Sequence, residues 1–237
     1  MSPIKEMRFF VGEENDPNWY DRHWAKNKQR TLAAGYDLER DYDDRIAIGV
    51  SSSGNIEHYK QFFADRLSGQ RYHCEITPAY MTLPRSELLK IKDSFEGLKI
   101  LFLMRDPIAR LWSMIQFNHK NRSDAYIHKF AQTCLENPTY KVRSDYKSTL
   151  QNLDSVFDPD QVFVGFYEDM FTGDMLTRLY KFLDIPEISA DRQKRANTTK
   201  ASFLPEDIAD YFAENLMNQY DYIRDRFGDQ VPEGWLL

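Results

Sequence analysis

The segment Lys99–His119, KILFLMRDPIARLWSMIQFNH, constrains the fold more than any other stretch of the chain. Its opening, Lys99–Met104, is a continuous apolar run that suits a strand buried on both faces of a parallel sheet. The run passes without a spacer into Arg105, Asp106 and Pro107. Asp is a strong N-cap and Pro fits the first helical position, so the spacing predicts a helix over Pro107–Lys120. Ile108, Leu111, Trp112 and Ile115 recur at helical spacing and form its core face. Ser113 lies five residues past Ile108, about 140° around the helix at ~100° per residue, and so leaves the apolar stripe. Arg105 is thus expected at the carboxyl end of a strand, with Ser113 on the free side of the next helix. Ligands of open α/β sheets bind outside the carboxyl ends of strands. A guanidinium fork and a hydroxyl are groups that hold phosphate.

Other segments extend the pattern. His73–Thr77 reads as a short strand ending at Pro78, and Gln161–Tyr167 as a second buried strand. Helical patterns cover Ser86–Phe95, Tyr140–Leu153, Met170–Leu183 and Pro205–Arg226. Strands separated by helices predict an α/β fold with a mainly parallel sheet. No repeat or low-complexity linker interrupts the 237 residues, so 1–237 is expected to be a single domain. The opening stretch, Met1–Asp44, has weak periodicity. Phe9–Phe10 and Trp19–Tyr20 are its expected burial anchors, and Asp37, Glu39, Asp41, Asp43 and Asp44 its acidic surface loop.

Composition removes several classes of function. Lys plus Arg number 31 against 37 Asp plus Glu, a net charge of −6, which opposes a general nucleic-acid partner. Cys74 and Cys134 are too few for a disulfide scaffold or a four-Cys metal site, and no two of the five histidines fall at HxxxH spacing. No metal is therefore expected. No apolar run approaches the ~18 residues of a membrane span, and the N-terminus lacks a signal peptide's apolar region. A cytoplasmic setting without membrane insertion is the expectation.

The pattern R-D-P-x-x-R-x-x-S at Arg105–Ser113 resembles the 3′-phosphate motif of the sulfotransferases that use 3′-phosphoadenosine 5′-phosphosulfate (PAPS). Further blocks agree in order: Glu75–Tyr80 (EITPAY), Tyr146 with Leu150, QVFVGFYED, and FLDIP at Phe182–Pro186. The resemblance covers most of the chain and is closest to the branch of bacterial and heparan-sulfate-type enzymes. It implies a P-loop-kinase-like three-layer domain with a mainly parallel central sheet. PAPS would be the sulfuryl donor, PAP (3′-phosphoadenosine 5′-phosphate) the product, and a small molecule or carbohydrate the acceptor. It places Arg105 and Ser113 on the 3′-phosphate. Lys200, in NTTKAS, corresponds to a loop near the adenosine and 3′-phosphate. Lys5–Phe10, KEMRFF, resembles a segment whose glutamate is that branch's proposed general base, which makes Glu6 the base here. Arg8, Val11 and Ile76 depart from the branch where it often has His, Asp and Lys, so a glycosaminoglycan acceptor does not follow.

One family block has no counterpart. The 5′-phosphosulfate loop, a P-K-x-G-T-T-type turn after the first strand, should precede KEMRFF, and only five residues stand before Glu6. The first strand and phosphate loop are thus expected to be missing from residues 1–237, with weak PAP binding and poor transfer as the result. Gly49–Asn55, GVSSSGN, lacks the Lys and Ser/Thr of a P-loop and reads as a serine-rich loop. Two readings follow: a PAPS-dependent sulfotransferase acting on a hydroxyl or amine, or a non-catalytic relative that binds PAP or a partner. A P-loop nucleotide kinase is weaker, because no G-x-x-x-x-G-K-[ST] is present. Glu75 and His119 are the next candidates for the base.

Overall fold

The computed structural model describes residues 9–11, 56–66, 69, 71–188 and 203–235. Glu6, Lys200, Trp19–Tyr20, the acidic loop and Gly49–Asn55 lie outside them. The chain divides into two compact units, Met1–Ser94 and Phe95–Leu237.

In the first unit, helix α1 (Ile56–Arg66) is followed by a 3-10 turn (Pro78–Thr82) and helix α2 (Arg85–Ser94). Tyr59, Phe62 and Phe63 are buried along α1, and Phe9 is buried as expected. The Phe9 ring lies 4.6 Å from that of Tyr59. His73–Thr77 is extended at Thr77 but joins no ladder among the described residues. The Thr77 hydroxyl bonds instead to the Glu75 carboxylate, a local side-chain alternative to sheet pairing.

The second unit is mixed α/β. Strand β1 (Ile100–Met104) leads into α3 (Pro107–Asn118), α4 (Asp124–Ala131), α5 (Pro138–Val142) and α6 (Tyr146–Val156). Strand β2 (Val162–Phe166) follows, then α7 (Asp169–Thr172), α8 (Met175–Leu183) and the long α9 (Glu206–Phe227). β1 and β2 pair in parallel, Ile100 opposite Val162 and Met104 opposite Phe166. This is the α/β class with a parallel sheet that the sequence predicts.

Two helical patterns prove to be broken. The Tyr140–Leu153 stretch is interrupted where Asp145 caps α6, its carboxylate accepting from the Ser148 N–H and hydroxyl. The Met170–Leu183 stretch is interrupted at Gly173, whose backbone is extended. β1 is also less covered than its apolar run implies. Phe102 meets Tyr146 of α6, and Met104 is fully buried. On the other face, Met175 and Phe182 of α8 reach Gly165 and Phe163 of β2. Leu101 and Leu103 of β1 are exposed on that same face. The strand is apolar on both sides but more exposed on the Leu101–Leu103 face, where α8 packs on β2 among the described residues.

Candidate functional site

The turn from β1 into α3 is built as its sequence requires. Asp106 caps α3 by accepting from the Ala109 N–H at 2.7 Å, and Pro107 takes the first helical position. Ile108, Leu111 and Ile115 are buried. Ala109, Ser113, Gln116 and Phe117 form the more open face of the same helix.

Each backbone group of the turn is held. Met104 C=O accepts from the Tyr167 N–H at 2.7 Å. The buried Tyr146 hydroxyl brackets Arg105, accepting from its N–H at 3.4 Å and donating to its C=O at 2.9 Å. The Asp106 N–H donates to Glu168 Oε1 at 3.2 Å. The Tyr220 hydroxyl donates to Asp106 Oδ2 at 2.8 Å and accepts from the Ile108 N–H at 3.3 Å. The first amides of α3 are therefore occupied within the protein, and an anion here must be met by side chains. Burial pushes the Asp106 carboxyl up, with neighbouring Glu168 adding to the shift, while its own hydrogen bonds and Arg105 oppose it.

Arg105 itself is left available. Its guanidinium lies 5.5 Å from the Tyr167 ring centre and makes no hydrogen bond or ion pair among the described residues. The half-buried Ser113 hydroxyl likewise has no hydrogen-bond partner among them. Arg110, the second arginine of the motif, is engaged inward. It donates to the Arg143 C=O and, at 3.2 Å, to the Ser144 hydroxyl, with its centre 5.8 Å from the Tyr146 ring. Burial lowers its pKa, and its Nε has no hydrogen-bond partner among the described residues. Arg110 thus buttresses Tyr146, while the Arg105 guanidinium lies against the Tyr167 ring.

The two alternative bases are already engaged. Glu75 accepts from three hydroxyls: Tyr59 at 2.6 Å, Thr77, and Tyr80 at 2.9 Å to both oxygens. His119 ends α3, its Nε2 lying 3.3 Å from the Tyr140 hydroxyl and its ring 4.4 Å from that of Phe130. The sequence assigns no role to Glu168 and reads Tyr220 and Trp235 as core and surface packing, yet all three are tied to the turn. Trp235 donates from its indole nitrogen to Glu168 Oε2 at 3.1 Å. The Y-E-D block marked the place of Glu168; Tyr220 and Trp235 carried no signal, because they reach Asp106 and Glu168 from far along the chain.

Among the described residues, no His/Cys/Asp/Glu group could hold a metal ion, and no helix is long and apolar enough to cross a membrane. No curated protein matches the chain significantly. Among solved structures, it is similar to a sulfotransferase from Alicyclobacillus acidocaldarius. That match has a TM-score of 0.65 at 15% identity and covers 98% of this chain and 86% of the other. The family profile of the sulfotransferase domain matches residues 83–208, a span that includes the β1–α3 turn, β2 and the start of α9. The chain belongs to the sulfotransferase domain family.

Proposed function

We propose that the chain transfers a sulfuryl group from PAPS to a hydroxyl or amine of a small-molecule or carbohydrate acceptor, releasing PAP. The observation that carries this reading is the free guanidinium of Arg105 on a turn whose every backbone group is otherwise held. A fixed cation beside a helix with occupied amides suits a phosphate monoester, and the Ser113 hydroxyl on the open face of α3 adds a donor. These residues fit the 3′-phosphate of the nucleotide. Lys200, from the NTTKAS segment, would add a further cation to the nucleotide site.

When bound, the nucleotide supplies an activated sulfuryl group on its 5′ side. The chain's own residues hold and orient it and accept the proton. Arg105 and Ser113 fix the adenosine end, so that the sulfuryl sulfur meets the acceptor oxygen or nitrogen in line. Glu6 would accept the acceptor's proton as the new S–O or S–N bond forms and the bond from sulfur to the 5′-phosphate oxygen breaks, leaving PAP. A carboxylate within hydrogen-bond reach of the attacking atom is the requirement for that step. Glu75 is a poor base by comparison, since three hydroxyls already donate to it.

The test is calorimetry with PAP and with adenosine 5′-phosphate, which lacks the 3′ group. A charge-assisted hydrogen bond is worth ~1.5–3 kcal/mol, so Arg105→Ala should weaken PAP roughly tenfold to a hundredfold. Adenosine 5′-phosphate should bind the variant unchanged. Equal losses for both ligands would make Arg105 structural. Transfer from labelled PAPS to a panel of phenolic, sugar and lipid hydroxyls then separates an enzyme from a module that only binds PAP.

A further inference from the structure

We infer that Trp235 is a positioning residue for the 3′-phosphate site, acting through Glu168 on the turn that carries Arg105. The inference rests on the phosphate reading of Arg105. After α9, Gly228 adopts a positive φ of 52° and turns the chain through Gly228–Gln230 and Pro232. The Trp235 N–H donates to the Pro232 C=O at 2.9 Å, and its side chain is 7% exposed. The ring packs edge-on to Phe166, the last residue of β2, at 5.1 Å. It also packs against Tyr220 at 6.3 Å.

The indole therefore touches both groups that clamp Asp106. Its N–H donates to Glu168 Oε2, while Glu168 Oε1 receives the Asp106 N–H. Its ring abuts Tyr220, whose hydroxyl donates to the Asp106 carboxylate. A carboxylate whose two oxygens are fixed by two N–H donors keeps one rotamer. Without the indole donor, Glu168 Oε2 loses that hold, and the acceptor of the Asp106 amide, at the point where Arg105 leaves β1, is less firmly placed.

Charge and geometry predict opposite signs here. Glu168 is an anion near a site for an anion, so Coulomb repulsion alone predicts that Glu168→Gln tightens PAP. Positioning predicts that it weakens PAP, because a glutamine presents an N–H₂ to one of two N–H donors.

The experiment is calorimetry on the full chain with PAP and adenosine 5′-phosphate, for Trp235→Phe, Glu168→Gln, the double variant and Arg105→Ala. Trp235→Phe keeps the ring and removes the donor, and should weaken PAP roughly three- to tenfold while leaving adenosine 5′-phosphate unchanged. Glu168→Gln should weaken PAP by a similar factor. The double variant should lose no more than the larger single loss, as groups in one network do. Equal losses for both nucleotides, or tighter PAP with Glu168→Gln, would overturn the inference while Arg105→Ala still shows its PAP-selective loss. If Arg105→Ala shows no selective loss, the phosphate reading fails and this inference fails with it. Should Trp235→Phe not fold, the sign of the Glu168→Gln effect decides alone.

Discussion

Two polar clusters, one in each unit, treat their central charge in opposite ways. Glu75 in the first unit is surrounded by the hydroxyls of Tyr59, Thr77 and Tyr80, and the Phe10 N–H reaches the Tyr80 oxygen at 3.5 Å. Both tyrosine hydroxyls are held far above their usual range, first by burial and then by the Glu75 charge. Arg105 in the second unit has its backbone bracketed and its guanidinium left against a single ring. A carboxylate offers about four acceptor sites, and three hydroxyls donate to Glu75 among the described residues. On the proposed function, the first is a charge engaged by the fold and the second a charge for a ligand, with Glu6 as the proposed proton acceptor.

The largest effect expected from this contrast is on rate. Glu6→Gln keeps the shape but cannot accept the proton, and losing a general base costs ~10²–10⁴ in turnover. PAP affinity should hardly change, because Glu6 is assigned to the acceptor side. Turnover of Glu6→Gln close to that of its parent, measured with labelled PAPS in a version that carries the 5′-phosphosulfate loop, would return the base to Glu75 or His119 and collapse the contrast.

The next effect is on stability. Glu75→Leu leaves three hydroxyls without their acceptor, at about 1–3 kcal/mol for each that stays unsatisfied. Urea unfolding should show a loss of about 2–5 kcal/mol, the range allowing for hydroxyls that find water. Arg105→Ala should lose less than about 1 kcal/mol in the same assay, its guanidinium having a ring contact to give up among the described residues. Comparable losses in the two variants would mean that Arg105 is structural after all.

What the sequence disclosed follows from how local each feature is. The β1–α3 turn was legible because an apolar run, an Asp cap and a Pro lie next to one another and each acts within a few residues. The places of Arg105 after β1 and of Ser113 on the more open face of α3 were legible for the same reason. Tyr220 meets Asp106 across 114 positions and Trp235 meets Glu168 across 67, so no periodicity could announce them. The break before α6 had a local sign, Asp145 three residues before Ser148, which the apolar periodicity of the neighbouring helices masked. The exposure of Leu101 and Leu103 was hidden because an apolar strand reads the same whether one face or two are covered.

A smaller effect tests the bracket on Arg105. Tyr146→Phe removes one hydroxyl that serves both the N–H and the C=O of Arg105. The fold should lose about 1–2 kcal/mol. PAP should weaken a few-fold through misdirection of the guanidinium, and adenosine 5′-phosphate should not. A loss shared by both nucleotides would place the effect in the fold alone.

The smallest effect concerns Asp106 and pH. Its carboxyl is pushed up mainly by burial, with Glu168 in support, despite the Ala109 and Tyr220 hydrogen bonds. An acid whose folded pKa lies above its unfolded value of about 3.9 binds its proton more readily in the fold. Its contribution to stability is complete below about pH 3.9 and is lost as pH rises through the raised folded value. Asp106→Asn carries no titrating group, and its amide oxygen still caps Ala109. Relative to the variant, the native chain should therefore lose stability as pH rises from the unfolded value toward neutrality. The variant's absolute stability is lower, because Tyr220 loses a charged acceptor; the slope is the readout. Unfolding in urea at a series of pH values from about 3.5 to about 7 measures both chains on one axis. Parallel curves would mean that Asp106 is as easily ionised in the fold as outside it. The Tyr220 and Ala109 donors, with Arg105, would then offset the burial of Asp106.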